Sequence, residues 1–599
     1  MCHHVRPPLE YPIKMATGSS TATSVAWGTL ADVSGSAMKT ERVPFPQTHI
    51  PSQALNPRHQ AGTSSARPPS PPHRAFPIPV FSAAARRTEP VKPLKFPRNG
   101  RRRTQTIPGP GNGSLSLSHA TYQLNSEVSP HRTVAAIRLL RIETGGAFAD
   151  LLNNKGKKYG DNEMQYVERT LGFRTRDLDD RDLRLVTDIV GGTVRWRRYL
   201  DHLIASLCHD KNMFRRMEPL LLQILRIAFY EIVKSDSPPH AVVNENVKLA
   251  KVSLRPGAGH MVNGILRKLV LLKENDTLTS LLPKLEGDER SQARALATHY
   301  SHPVWMVRRW MKHFGQDAAV KLMSWNNSHP SFSLRANRRK GFTRADLIKQ
   351  LDMLKVPHEV SLNANDFVRI RTGMQMVLKS SLLNEGLCSV QDESAGLVVS
   401  VMDPQPGESI LECCAAPGGK TLYMASLMKG RGMVSALDIN KGRLRLLIET
   451  AISHNVDQVI TTIHADLRIF AEKRKVKFDK VLLDAPCSGL GVLSKRADLR
   501  WNRKLEDMEQ LKGLQDELLN AAAMLVKPGG ILVYSTCSID QEENEDRVTA
   551  FLIKHSDFCI DSVEKYVPSS FVSERGFYFS NPVDHSLDGA FAARLARSL

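Results

Sequence analysis

Two cysteines in the C-terminal third of the chain each follow a short apolar run, and their thiols are candidates for covalent chemistry. Cys487 comes shortly after the run 481–483, and Cys537 comes shortly after the run 531–534. A thiolate is a strong nucleophile when nearby positive charge or dipoles lower its pKa. The alternative is that each cysteine is a small buried apolar residue. Two thiols at the ends of two such runs favour the chemical interpretation.

The chain from about residue 405 onward alternates short apolar runs with amphipathic helical patterns. The runs are 410–411, 434–438, 459–463, 481–483 and 531–534, with helical patterns from 421, over 441–453 and over about 505–526. This alternation predicts an α/β, Rossmann-like domain whose mainly parallel sheet is covered by helices on both faces. Ligands bind such sheets at the carboxyl ends of the strands, where both cysteines are expected to lie.

A turn of small residues follows the first of these runs. It consists of Cys414, Ala415, Ala416, Pro417, Gly418, Gly419 and Lys420. The glycines let the backbone approach a ligand closely, and the next helix directs its N-terminus at that ligand. Neither the phosphate-loop pattern nor the glycine pattern of dinucleotide sites is present.

Acidic residues stand at the ends of the next two runs. Asp438 comes about twenty residues after the glycine turn, where a carboxylate accepts hydrogen bonds from both ribose hydroxyls. Asp466 follows the third run and is placed to contact the adenine side. A nucleoside pocket without a phosphate loop favours S-adenosylmethionine over NAD or ATP. The eight cysteines form no CxxC pair and predict neither a zinc site nor a disulfide framework.

A methyl donor beside two thiols suits methylation of the C5 carbon of cytosine. That carbon is a weak nucleophile, and a thiolate that adds to C6 makes it enamine-like and able to accept the methyl group. A base then removes the C5 proton, and elimination releases the enzyme. The target base must be single-stranded or leave its stack. Spacing alone does not decide whether Cys487 or Cys537 attacks.

The motifs resemble those of the RsmB/Sun (Fmu) branch of the RsmB, Nop2 and Sun family of RNA cytosine-5 methyltransferases. The resemblance runs from about residue 131 to the end of the chain. It rests on the turn 414–420, Asp438 with Arg443, Asp466, the stretch 484–489 and the stretch 535–538.

This resemblance implies a role for each candidate residue. The residues implied to bind S-adenosylmethionine are Cys414, Ala415, Ala416, Pro417, Gly418, Gly419, Lys420, Asp438, Arg443, Asp466 and Asp484. Cys537 would be the nucleophile and Cys487 would assist product release, while Asp484 would also contact the cytosine. Glu412 departs from the family's pattern, since it stands where Asp is common, but it keeps the charge.

The chain preceding the α/β domain is divided by its patterning into two further regions. Residues 129–280 show helical spacing and predict an all-α bundle, which resembles the NusB-like RNA-binding domain of this branch. Within it, three arginines that flank Trp196 predict either an RNA-facing patch or a solvated helix face with one buried Trp. Residues 290–400 predict a small α+β module that joins this bundle to the catalytic domain at 401–599.

Residues 1–128 are predicted to be a disordered, basic leader. They contain 15 Lys and Arg against 5 Asp and Glu, and they are rich in Ser, Thr and Pro. This composition is typical of an organelle transit peptide and favours the chloroplast, with the mitochondrion or a nucleic-acid-binding tail as alternatives. The net charge of +21 predicts a polyanionic partner. The sequence contains no run of about 18 apolar residues, so it predicts no membrane-spanning helix.

Together with these features, the resemblance implies a methyltransferase that forms 5-methylcytosine in small-subunit, 16S-type ribosomal RNA. The alternatives are the same chemistry on tRNA or another RNA, and a non-catalytic NusB-type ribosome-assembly or transcription factor. The two cysteines disfavour the non-catalytic alternative, because a protein that only binds RNA has no need of both. Methylation of DNA is disfavoured by the NusB-like region.

Overall fold

A computed structural model describes residues 122–145, 157–473 and 475–599. The predicted leader lies outside the described residues except for its last seven positions. Those seven positions adjoin the helical region: the Asn125 amide donates to the Arg174 carbonyl at 2.7 Å, and Val128 is buried in the helical core.

The N-terminal region is helical, as predicted. Its helices are α1 (Pro130–Gly145), α2 (Lys157–Leu171), α3 (Asp180–Arg195), α4 (Arg197–Leu207), α5 (Lys211–Arg215), α6 (Pro219–Val233), α7 (Pro239–Ser253) and α8 (Pro256–Glu274). A proline begins each of α6, α7 and α8, where its missing N–H costs no helical hydrogen bond. Helix α6 is buried along nearly its whole length and contacts α1, α3, α4, α7 and α8. It therefore forms the centre of this helical domain.

The middle region combines helices with a small sheet. Its elements are α9 (Glu289–His299), α10 (Val304–Phe314), α11 (Gln316–Asn327), β1 (Phe332–Ala336), α12 (Arg344–Met353), β2 (His358–Val360), β3 (Phe367–Ile370), α13 (Met374–Lys379) and β4 (Cys388–Val390). The four strands are antiparallel in the order β2-β3-β1-β4. Helices α9 to α11 form a separate apolar cluster with Leu490, Leu493 and Leu499 of the catalytic domain.

The C-terminal region is the predicted α/β domain. Its elements are α14 (Glu393–Met402), β5 (Ser409–Cys413), α15 (Gly419–Leu427), β6 (Met433–Asp438), α16 (Lys441–Ser453), β7 (Ile460–His464), α17 (Leu467–Lys473), β8 (Phe478–Asp484), α18 (Leu499–Asn502), α19 (Leu505–Ala523), β9 (Val526–Thr536), α20 (Glu545–Lys554), β10 (Phe558–Ile560), β11 (Tyr578–Ser580), α21 (Pro582–His585) and β12 (Ala590–Arg597). The main sheet has the order β10-β12-β9-β8-β5-β6-β7, and β11 pairs with β12.

The five predicted runs form the parallel strands β5 to β9. Strand β12 was not predicted; it lies antiparallel between β9 and β10. Its alanines and arginines carry little strand propensity, so tertiary pairing decides its conformation. Alternate residues of the parallel strands enter two apolar cores, one on each face, as shown by Leu482 in one core and Leu483 in the other.

Candidate active site

A cavity of about 460 Å³ lies at the carboxyl ends of the parallel strands. The predicted residues that line it are Cys414, Ala415, Ala416, Pro417, Gly419, Lys420, Asp438, Arg443, Asp466, Asp484, Cys487 and Cys537. The structure thus brings nearly the whole predicted set to one concave surface. The exception is Gly418, whose φ of +103° shapes the turn and where a Cβ would lie 2.5 Å from Leu447.

Backbone hydrogen bonds hold the turn between β5 and α15 against β6. The Ala415 amide donates to the Leu437 carbonyl, and the Ala416 amide donates to Asp438 Oδ2, both at 3.0 Å. The other oxygen of Asp438 accepts the Asn440 amide at 2.7 Å. Each carboxylate oxygen has further acceptor capacity. Asp438 is therefore fixed in orientation while it can still accept hydrogen bonds from ligand hydroxyls.

Asp466 is paired with a residue that the sequence analysis did not single out. Arg468 donates from its backbone amide and from its guanidinium, with Nη2 lying 2.7 Å from Asp466 Oδ2. Hydrogen bonding to the Arg468 side chain holds the pKa of Asp466 below its ordinary value. Arg468 also lines the cavity. The local sequence signal that could have pointed to Arg468 is its position two residues after Asp466, which follows a strand.

Lys420 connects the turn to the end of strand β8. Its Nζ donates to Asp484 Oδ2 at 2.7 Å, and the Ser535 hydroxyl donates to Asp484 Oδ1 at 3.0 Å. Although burial lowers the pKa of Lys420, the adjacent Asp484 carboxylate more than offsets it and leaves the pKa raised. Lys420 is therefore a fixed positive charge that acts on the Cys537 thiol.

The two cysteines meet at the edge of the cavity. Cys487 Sγ and Cys537 Sγ lie 3.3 Å apart, with Cys537 exposed to the cavity and Cys487 half-buried. The hydrogen bond between them and burial raise the pKa of Cys487. The same hydrogen bond, with help from Lys420, lowers the pKa of Cys537. Of the two thiols, Cys537 is therefore the more readily ionised, and Cys487 is the one that more readily keeps its proton.

A buried carboxylate that the sequence analysis missed joins the two cysteine loops. Glu543 accepts the Ser488 amide at 2.8 Å and the Ser538 hydroxyl at 2.6 Å. Its carboxylate also accepts a hydrogen bond from Gln515 Nε2 at 3.1 Å, and its backbone carbonyl accepts one from the Tyr534 hydroxyl. One side chain thus fixes the residues that follow Cys487 and Cys537 relative to each other.

Glu412 lies below the turn and is 1% exposed. It accepts a hydrogen bond from the Thr421 hydroxyl, and burial raises its pKa to about 8. Burial therefore favours the protonated form of Glu412, which the sequence analysis did not anticipate.

The three arginines that flank Trp196 are partly exposed, and each has a partner within the protein. Arg195 Nη2 donates to the Ser494 carbonyl at 2.6 Å, Arg197 pairs with Glu143, and Arg198 donates to Thr298. The RNA-facing patch and the solvated helix face both stay predictions, and Trp196 is itself partly exposed.

The described residues contain neither a cluster that could hold a metal ion nor a helix that could span a membrane. No group of three or more His, Cys, Asp or Glu side chains in this part of the chain is arranged to hold a metal ion. None of the described helices is long and apolar enough to cross a membrane.

The chain is similar to known proteins over most of its length. Residues 399–596 match the family described as 16S rRNA methyltransferase RsmB/F. The probable ribosomal RNA small subunit methyltransferase B of Bacillus subtilis is 33% identical over 444 residues, which is 73% of this chain and 91% of that protein. The chain belongs to the RsmB/F methyltransferase family. The resemblance deduced from the motifs is thereby confirmed.

Further matches extend the RsmB/F assignment to the other regions. Residues 146–270 match the NusB family, and residues 302–376 match the ferredoxin-like domain of RsmF/B-like methyltransferases. The probable ribosomal RNA small subunit methyltransferase B of Synechocystis is 33% identical over 442 residues, covering 72% of this chain and 94% of that protein. The crystal structure of PH0851 has a TM-score of 0.62 and 26% identity, covering 78% of this chain and 99% of that one. The predicted multidomain architecture is confirmed, while the roles of individual site residues remain predictions.

Proposed function

We propose that this RsmB/F family member transfers a methyl group from S-adenosylmethionine to C5 of a cytosine in small-subunit ribosomal RNA. The observation that carries this proposal is the pair of sulfur atoms 3.3 Å apart at the edge of the nucleoside-type cavity. The names of the Bacillus and Synechocystis relatives support the choice of RNA. Cys537 is the nucleophile, and it forms a transient bond to C6 of the cytosine.

The residues around the cavity fit S-adenosylmethionine. Asp438 is oriented for the ribose hydroxyls, and Asp466 lies on the neighbouring strand end for the adenine. Gln391 also lines the cavity, is 7% exposed, and its Nε2 has no hydrogen-bond partner among the described residues. Arg335 Nε donates to Gln391 Oε1 at 2.7 Å and so fixes which end of the amide is the donor. This unpaired donor suits an acceptor on the cofactor, such as its carboxylate.

The proposed chemistry follows from the difference in pKa between the two thiols, which is raised for Cys487 and lowered for Cys537. The Cys537 thiolate adds to C6, and the displaced electron pair makes C5 the nucleophile that takes the methyl group from the sulfonium. A base then removes the C5 proton, the C6–S bond breaks, and the electron pair returns to Cys537 Sγ. Asp484 faces the same cavity with acceptor capacity for the amino edge of the cytosine.

Cys487 acts in the last of these steps. Its thiol keeps its proton and lies within hydrogen-bond reach of Cys537 Sγ. When the C6–S bond breaks, a hydrogen bond from Cys487 stabilises the sulfur that regains negative charge. Loss of this donor slows release and leaves protein and RNA covalently joined.

The test is transfer of labelled methyl groups to small-subunit ribosomal RNA, with adducts resolved on a denaturing gel. Cys537→Ala should abolish transfer while S-adenosylmethionine still binds, and Cys487→Ala should accumulate an adduct that Cys537→Ala removes in the double variant. Cys559→Ala is the control, because Cys559 is exposed on β10 and does not line the cavity. Normal turnover by Cys537→Ala would refute the mechanism. Transfer of methyl groups to tRNA but not to small-subunit ribosomal RNA would refute the proposed substrate.

We also propose that the protein acts in the chloroplast. The support is compositional: the basic, Ser-rich and acid-poor segment 1–128 is typical of a transit peptide. A fusion of residues 1–80 to a fluorescent reporter should enter plastids, and a cytosolic or mitochondrial signal would contradict the proposal. Bisulfite sequencing of plastid ribosomal RNA, with and without the gene, would identify the methylated cytosine.

A further inference from the structure

The segment 494–503, which follows the Cys487 loop, is built into the helical domain. Trp501 Nε1 donates to the Val194 carbonyl at 2.7 Å, and the Ser494 carbonyl accepts Arg195 Nη2 at 2.6 Å. Ala497 packs in the apolar core of the helical domain. A stretch of the catalytic domain is therefore held by contacts made outside that domain.

Arg500 strengthens this attachment from the same segment. It is fully buried, and its guanidinium donates to the carbonyls of Arg195 and Asn326 and to Asn327 Oδ1 at 3.1, 2.6 and 2.8 Å. A fourth acceptor is the Ser301 carbonyl. These acceptors come from the end of α3 and from the region of α9 to α11, so one side chain fixes the segment to two different parts of the protein.

Arg503 lies at the end of this segment, and its side chain contacts the loop that carries Cys487. Its Nε donates to the Ser488 carbonyl at 3.0 Å, and its Nη2 donates to the Cys487 carbonyl at 3.1 Å. Two donors in the fixed geometry of one guanidinium hold two successive carbonyls more rigidly than a single donor would. The Cys487 peptide is thus held from the side of the helical domain.

We propose that Arg503 is a positioning residue for Cys487, with the helical domain as its support. The inference rests on the proposed function, in which Cys487 assists release of the methylated RNA. A hydrogen bond between sulfur atoms depends steeply on distance, and a shift of about 1 Å at a reacting group can cost roughly a hundredfold in rate. Loss of Arg503 would free the Cys487 peptide to move away from Cys537.

The experiment measures breakdown of the covalent protein–RNA adduct by the full chain. Arg503→Ala should slow adduct breakdown by roughly tenfold to a hundredfold, with the affinity for S-adenosylmethionine unchanged. Arg503→Lys, which keeps the charge but cannot make both bonds from one planar group, should have an intermediate effect. Arg575→Ala is the matched control, since Arg575 donates to Thr549 away from the cavity.

A double variant separates positioning from general damage. If Arg503 acts through Cys487, adding Arg503→Ala to Cys487→Ala should increase the adduct no further. Additive effects would overturn the proposal, as would adduct breakdown at the wild-type rate in Arg503→Ala. If Arg503→Ala fails to fold, Arg503→Lys decides the question, and wild-type breakdown in that folded variant overturns the proposal.

Failure of this inference is distinct from failure of the proposed function. If Cys487→Ala accumulates an adduct and Arg503→Ala does not, only the positioning role of Arg503 is lost. If Cys487→Ala itself forms no adduct through Cys537, the covalent mechanism is lost first. Trp501→Phe, which removes only the donor to the Val194 carbonyl, should slow adduct breakdown less than Arg503→Ala; an unchanged rate would refute the supporting role of the helical domain.

Discussion

Cys487 and Cys537 follow two adjacent parallel strands, and their sulfur atoms lie 3.3 Å apart. The register pairs Asp484 with Ser535, so each thiol extends just beyond the same edge of the sheet. Their environments differ, because Cys487 is half-buried whereas Cys537 is exposed to the cavity near Lys420. This geometry thus makes Cys537 the more readily ionised of the two thiols.

Alkylation of Cys537 should report this donor directly. The pKa of Cys537 is lowered chiefly by the hydrogen bond from Cys487, so iodoacetamide should modify Cys537 with a midpoint below the pH typical of free thiols. Cys487→Ala removes the donor and should move the midpoint to higher pH, whereas Cys487→Ser should move it less. Peptide mass spectrometry across a pH series measures this. An unchanged midpoint in Cys487→Ala contradicts the assigned donor.

Gly491 should tolerate no side chain. A Cβ there would meet the Gly589 carbonyl and lie 2.8 Å from the Cys537 carbonyl, which are backbone atoms that cannot easily move. Gly491→Ala should therefore displace the Cys537 loop and lower methyl transfer by at least about tenfold, which corresponds to about 1.4 kcal/mol.

Gly513→Ala is the control for that substitution. Gly513 lies within α19 and a Cβ there would meet nothing within 4 Å, so alanine should raise stability by up to about 1 kcal/mol with activity unchanged. Similar activities for the two variants would show that the Gly491 contact has no bearing on the site.

Glu543 should be a strong determinant of stability. Glu543→Gln replaces one acceptor oxygen by a donor facing the Ser488 or Ser538 donors, and unsatisfied buried groups cost about 1–3 kcal/mol each. We expect a loss of about 2–4 kcal/mol in the free energy of unfolding, measured as lower urea and thermal midpoints. Glu545→Gln, two residues away and partly exposed, should change it by less than about 0.5 kcal/mol. An equal loss in the free energy of unfolding for Glu543→Gln and Glu545→Gln would contradict the role of Glu543.

The buried Glu412 carboxyl should make stability depend on pH. Its pKa is raised to about 8 in the folded protein from an unfolded value of 4.5, so between these values the folded state binds more protons than the unfolded chain. The free energy of unfolding contributed by this group is therefore greatest at low pH and falls as pH rises through that window. Urea unfolding without cofactor at about pH 5 and about pH 8 should show Glu412→Gln gaining relative to wild type at the higher pH. Parallel pH profiles would contradict this.

The sequence alone was sufficient to predict the position of the site residues that stand at or after the ends of apolar runs. Asp438 ends a strand, while Asp466, Cys487 and Cys537 each come shortly after one, and the geometry of a parallel sheet gathers such residues at one edge. The pattern of types and spacing therefore predicted both the cavity and most of its lining.

The supporting residues could not be predicted in this way. Glu543 reaches Ser488 across 55 positions of sequence, and Gln391 belongs to the segment before α14, so no local pattern indicates either contact. Strand β12 escaped prediction for a related reason, since Arg594 is buried there through contacts with Asp561 and with the Val401 carbonyl. Long-range pairing, which periodicity does not encode, decides all three.

The insertion of Ala497 into the core of the helical domain has a consequence for engineering. A chimera that exchanges residues 122–280 for the equivalent region of a relative would place a foreign core around a native catalytic-domain segment. Such a hybrid should need residues 494–503 from the same donor as the transplanted helices. The modular boundaries of this protein therefore do not coincide with continuous stretches of its chain.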